Sequence, residues 1–191
     1  MNPYAMKKDG QPTKRKRRKG DFYATKDEDV TIALVRHYRK LIERHVTHEP
    51  ACGEGHMSKV LIEQGLDVVS TDLFSRGYGT PWVNFLTIPA EQYACGKFNI
   101  ITNPPFTHWA EFVMKAHELG APFIAMFAKQ GIWNAKKRLK LYREHPPKAV
   151  HPLTWRVDFD GRGRPTMDCC WVVWGDEVPF SNEPFERPVH A

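Results

Sequence analysis

An α/β sandwich with a mostly parallel sheet, closed by an antiparallel hairpin, is the architecture that this 191-residue sequence predicts. Short apolar runs alternate with amphipathic runs from residue 46 to about 144, the order of strand and helix in parallel-sheet proteins. Two more apolar runs then flank a Gly/Arg/Pro loop, as a hairpin would. Residues that build no ordinary framework (Glu49 to Gly55, Asp72, Asn84-Phe85, and Asn103 to Phe106) fall where apolar runs end. In sheets of this class ligands bind beyond the carboxyl ends of the strands.

The elements follow in order. A helix is predicted from about Asp27 to Glu43, with Ile32, Val35, Leu41 and Ile42 on its buried face. "VTHEPACGEGHMSKVLIEQG" reads as a short strand, a glycine turn and a helix stopped at Gly65. "LDVVSTDL" is the second strand, with Asp72 at its carboxyl end. The loop "FSRGYGTPW" leads to "VNFLTIP", a third short strand, and "KFNIIT" is the fourth. "HWAEFVMKAHELG" has helical spacing, "APFIAMFAK" is a buried strand, and "NAKKRLKLYREH" is a basic helix. "WRVDFDGRGRPTMDCCWVVWGD" supplies the closing pair of strands, and the residues from 181 read as a Pro-rich tail. The length fits one domain, here 21–180, without a separate block for target recognition.

Charge is unevenly spread. Residues 1–20 carry eight basic side chains and one acid, whereas the whole chain has a net charge of +6. With so few apolar residues this arm is expected to be disordered alone, and Lys14, Arg15, Lys16, Arg17 and Arg18 point to a polyanion partner. A solubilising tail is the plainer alternative. No window approaches the roughly 18–20 apolar residues that span a bilayer, so no membrane role is expected. The four cysteines form no CxxC pair and the nine histidines show no ligand spacing, so neither a disulfide framework nor a metal site is expected. A reducing, intracellular compartment fits this composition.

The end of the first strand, "EPACGEG", places two glycines where the chain must turn sharply and let a ligand approach the backbone. It is neither G-x-G-x-x-G nor a phosphate loop, so a nucleotide-like ligand without a pyrophosphate fits best. Asp72 stands about 20 residues on, where an acid accepts from ribose hydroxyls. Asn84 and Phe85 offer a hydrogen bond and a ring face to a purine.

These motifs, with "NPPF" after the fourth strand, resemble those of class I S-adenosylmethionine-dependent methyltransferases, which have a Rossmann-like fold. Within that superfamily the chain is similar to the small DNA adenine-N6 methyltransferases of bacteriophages and prophages. "DFYAT" resembles their N-terminal cofactor motif, and "YREHPPKAV" and "RPTMDCCWVVW" resemble their closing segment. The similarity spans residues 21–175. It implies that Phe22, Tyr23 and Thr25 meet the methionine end of S-adenosylmethionine, and that Glu49, Pro50, Cys52, Gly53 and Gly55 cradle it. Asp72 would hold the ribose, Asn84 and Phe85 the adenine, and Asn103 would touch both cofactor and substrate. The chain departs from the pattern at Asn84, where aspartate is common, and at Lys26, where proline is common. A bacterial cytoplasm, and a phage or prophage origin, are what the resemblance implies for location.

"NPPF" then has a chemical reading. The exocyclic amine of adenine is a poor nucleophile because its lone pair is delocalised into the ring. The side-chain oxygen of Asn103 and the carbonyl of Pro104 can accept its two hydrogens and favour a pyramidal nitrogen. Pro104 and Pro105 fix those acceptors, so little reorganisation accompanies reaction, and Phe106 would stack on the base. A paired adenine cannot reach such a pocket unless it is flipped out. Lys136, Lys137, Arg162 and Arg164 are candidate phosphate contacts, which position without reading sequence. The expectation is therefore a metal-free DNA adenine methyltransferase, monomeric or weakly dimeric, with short or relaxed sequence preference. An RNA base methyltransferase, acting on guanine or adenine, is the second reading, and a non-catalytic nucleic-acid-binding protein on the same fold is the third.

Overall fold

The computed structural model describes residues 23–93, 97–159, 163, 165 and 167–190, without the side chain of Lys137. The basic residues at 14–18, together with Phe22, Arg162 and Arg164, lie outside the described residues. The elements run α1 (Glu28–Ile42), β1 (Val46–Glu49), α2 (His56–Glu63), β2 (Val68–Ser70), β3 (Phe98–Thr102), α3 (Trp109–Glu118), β4 (Ile124–Lys129), α4 (Leu139–Glu144), β5 (Ala149–Pro152) and β6 (Cys169–Trp174).

They form one six-stranded sheet in the order β2-β1-β3-β4-β6-β5. The first four strands pair in parallel, and β6 is inserted antiparallel between β4 and β5. The fold is thus the mixed α/β sandwich expected. Because β1 pairs with β2 on one side and β3 on the other, the chain reverses its direction of travel across the sheet at β1 and β3. The carboxyl ends at Glu49, Ser70, Thr102 and Lys129 therefore emerge along one rim.

Period-two patterning explains the layers. Ala125 and Phe127 of β4, with Cys169, Trp171 and Val173 of β6, join one core with α1 and α2. The alternate residues Ile124, Met126, Ala128, Cys170, Val172 and Trp174 join the other core with α3 and α4. The adjacent cysteines thus face opposite layers. Polar ties cross these layers: Asn99 Nδ2 donates to the Ile42 carbonyl at 2.7 Å, and Trp171 Nε1 to the Val30 carbonyl at 2.9 Å.

Three elements differ from expectation. "VNFLTIP" is not a strand: Phe85–Thr87 form a 3-10 turn, capped where Asn84 Oδ1 accepts from Leu86 N at 3.1 Å. Trp82 takes a left-handed φ of 64° and the Asn84 side chain folds back on Leu86 N, so the run turns instead of extending, and β2 is left at the edge of the sheet. The hairpin is formed by Ala149–Pro152 with Cys169–Trp174, not by residues 155–159. Trp155 instead turns toward α1, its Nε1 donating to Asp27 Oδ2 at 3.0 Å. The basic helix is split into a 3-10 turn, Lys136–Arg138, and the six-residue α4.

The segment read as a tail lies along β5. Ser181 bridges Ala149 and Phe185 bridges Leu153. The Phe185 ring is buried and stacked on His151 at 4.2 Å. Beyond it, Arg187 Nε donates to Asp29 Oδ2 at 2.6 Å, and His190 reaches the other oxygen at 2.5 Å.

Candidate active site at the reversal point of the sheet

A cavity of about 250 Å³ opens between the carboxyl ends of β1 and β3, at the point where the strand order reverses. Its wall gathers residues far apart in sequence: Tyr23 and Thr25, Glu49, Pro50 and Cys52, Asp72, Asn84 and Phe85, and Asn103 to Pro105. Nine of the expected cofactor residues are therefore in one place. Gly53 and Gly55 shape the turn from behind without lining the cavity, and Phe22 lies outside the described residues.

The turn after β1 is built on the left-handed conformations of Gly53 and Gly55, at φ 57° and 80°. A Cβ on Gly55 would meet the Tyr78 ring at 2.3 Å, so the ring is seated directly on the glycine. Tyr78 belongs to "RGYG", which sequence reasoning treated only as a loop; its close packing left no periodic signal. Asp72 holds the turn from the other side, accepting from Gly53 N at 2.8 Å and Phe74 N at 2.7 Å. Each carboxylate oxygen retains a lone pair, so Asp72 can still accept from hydroxyls.

Glu49 lies at the floor, buried, and accepts a hydrogen bond from the Ser58 hydroxyl. Burial pushes its carboxyl up to about 7, the Ser58 hydrogen bond opposing and the Asp72 charge reinforcing the rise. Burial and the same two acids lift the Cys52 thiol to about 12, so Cys52 is a neutral packing residue rather than a nucleophile. Neighbouring His48 bonds Thr71 Oγ1 at 2.8 Å and the Tyr93 hydroxyl, and burial lowers it to about 4. It is a neutral strut.

Asn103 is fixed by the N-terminal segment. Its Nδ2 donates to the Tyr23 carbonyl at 3.0 Å and to Thr25 Oγ1 at 2.9 Å. A carbonyl can only accept, so the amide nitrogen must face Tyr23, and Oδ1 is left as the accepting end. Pro104 and Pro105 follow it on the wall. Phe106 stands beyond the cavity, its ring 5.4 Å from that of Tyr23, with Lys129 Nζ 4.4 Å from its centroid. Lys129, at the end of β4, was not anticipated. Nor were Phe74 and Arg76, which also line the cavity.

Of the other candidates, Lys136 is exposed in the 3-10 turn after β4. Among the described residues, no group of three or more His, Cys, Asp or Glu is placed to hold a metal, and no helix is long and apolar enough to cross a membrane.

No protein-family model and no curated protein sequence matches the chain. Solved structures do. A protein from Lactococcus lactis, described provisionally as a hemolysin, superposes with a TM-score of 0.61 at 10% identity, over 86% of this chain and 93% of that one. The methyltransferase subunit of a type I restriction-modification system from Streptococcus thermophilus gives 0.58 at 12%, over 84% of this chain and 46% of that one. A SAM-dependent methyltransferase from Anabaena variabilis gives 0.52 at 11%, over 81% and 85%. At such identities the likeness is one of fold. That fold is the Rossmann-like sandwich of the SAM-dependent methyltransferases. The chain spans about half the length of the restriction-modification subunit.

Proposed function

We propose that the chain transfers a methyl group from S-adenosylmethionine to the N6 amine of adenine in DNA. The observation that carries this reading is the tethered Asn103, whose amide nitrogen is spent on Tyr23 and Thr25 while its oxygen and the rigid Pro104 stand at the cavity. The lining suits the cofactor: Asp72 for hydroxyls, Phe85 and Val83 for a purine, and no lysine cradle for a pyrophosphate. When bound, that cofactor supplies a methyl group on positively charged sulfur. The protein's part is to accept the two amine hydrogens, hold the amine still and exclude water. Asn84 Oδ1 caps Leu86 N with one lone pair, so its amide hydrogens and the second lone pair are what it offers an adenine ring.

The fold neighbours include a restriction-modification methyltransferase subunit, which supports DNA as the substrate. A protein from Pyrococcus horikoshii described provisionally as an RNA methyltransferase, with a TM-score of 0.55 at 15% identity, keeps RNA as the second reading. One experiment separates them. The full chain is incubated with labelled methyl donor and unmethylated DNA or RNA, and the products are digested to nucleosides. Label in N6-methyldeoxyadenosine is expected; label in an RNA base, or in none, overturns the reading.

A further inference from the structure

We propose that Lys129 is a positioning residue that occupies the stacking surface of Phe106 until a nucleotide arrives, and then exchanges the ring for that nucleotide's phosphate. The inference rests on the reading of Asn103 to Phe106 as a base pocket. Lys129 is the last residue of a strand whose other five residues are buried, and it alone is partly exposed. Its ammonium lies 4.4 Å from the centroid of Phe106 and 5.1 Å from that of Tyr23, over two rings tilted by 36°. Next to β4, β3 ends where the Asn103 oxygen is offered. The backbone at this point is tied to β6: Lys129 pairs with Cys169, and Gln130 N donates to the Asp168 carbonyl at 2.9 Å. The side chain is the part left to move.

A cation over an aromatic face is attracted by the ring quadrupole, yet a phosphate oxygen offers the same ammonium a stronger, charge-assisted hydrogen bond. A base stacking on the covered face must displace the ammonium, and the phosphate attached to that base receives it. Both halves of the exchange arrive together on a nucleotide. A free nucleoside brings only the base, so it must strip the ammonium from the ring without offering a replacement. The consequence is selection of polynucleotide over free nucleoside at the base pocket itself, independent of basic residues elsewhere.

The test uses the full chain with S-adenosylhomocysteine present and two fluorescent probes, 2-aminopurine deoxynucleoside and its 3′,5′-bisphosphate. The wild-type chain is expected to bind the bisphosphate at least about tenfold more tightly than the nucleoside. Lys129→Met should narrow the ratio to under about threefold, while Lys129→Arg, which keeps the cation, should preserve it. A wild-type chain with no preference, a Lys129→Met variant that keeps it, or an equal loss for both probes overturns the role of Lys129. A wild-type chain that binds neither probe removes the base pocket, and with it the methyl-transfer reading on which the exchange depends.

Discussion

Asn103 illustrates how a single side chain is aimed. Both of its amide hydrogens are committed to the segment that precedes α1, at 3.0 and 2.9 Å, so the opposite end is held as an acceptor without help from substrate. Asn103→Ala should therefore lower kcat by at least about a hundredfold, as loss of a preorganised polar group does, while S-adenosylhomocysteine still binds in a calorimetric titration. Wild-type turnover would remove the residue from the chemistry. Glu49 and His48 make a second residue-scale prediction. Burial raises the folded Glu49 above its ordinary 4.5 to about 7, so its contribution to stability is present below 4.5 and lost as pH rises through 7. Burial lowers the folded His48 from 6.5 to about 4, so its contribution is present above 6.5 and lost as pH falls through 4. The two slopes oppose each other between about pH 4.5 and 6.5. Glu49→Gln removes one of them, and denaturant titrations across that window should show the variant gaining on the wild type by a few kcal/mol as pH rises.

Elements show where local pattern is enough and where it is not. β4 and β6 were legible because both faces are buried, so "FIAMFA" and "CCWVVW" could be nothing but interior strands. α1 and α3 were legible from their spacing. "VNFLTIP" has the composition of a strand, but Trp82 enters it in a left-handed conformation and Asn84 caps a turn instead. β5 was hidden because "PPKAV" looks like a connection; only pairing with β6 makes it a strand. In the site, the glycines, Asp72 and Asn103 carried chemistry visible in their types and positions. Tyr78 and Lys129 did not, since a ring resting on a glycine and an ammonium resting on a ring are facts of packing. Gly55→Ala tests the first. The left-handed backbone costs about 1–2 kcal/mol for a residue with a Cβ, and that atom would strike Tyr78 at 2.3 Å. A lower Tm and at least a tenfold weaker S-adenosylhomocysteine affinity are expected; unchanged affinity would mean that Tyr78 gives way freely.

At the scale of the whole molecule, the chain is closed by its own last residues. Asp27 and Asp29 at the start of α1 receive Arg187, and Asp29 also receives His190. Although burial pushes Asp29 up, the hydrogen bonds from Arg187 and His190 hold it below the usual carboxylate range. Phe185 covers His151 on the outer side of β5. Nothing in the pattern "SNEPFERPVH" signals this, because the partners lie some 160 residues away. Ending the chain after residue 180 uncovers a buried phenylalanine site worth about 2–3 kcal/mol. A fall in Tm of about 5–10 °C is expected in a thermal scan. A smaller change would show the last segment to be decoration.

The same molecule is closed at one margin and thin at the other. β2, with three residues, is flanked on its outer side by a lone bridge from Thr71 to Thr80, and Asp72 follows it directly. The group proposed for the ribose thus follows a short edge strand, and opening of that edge would carry the carboxylate away from Gly53. Ligand capture and fraying then share one equilibrium. Deuterium uptake at Val68 to Asp72 should be rapid in the bare protein and slow markedly with S-adenosylhomocysteine, while β4 stays protected in both states.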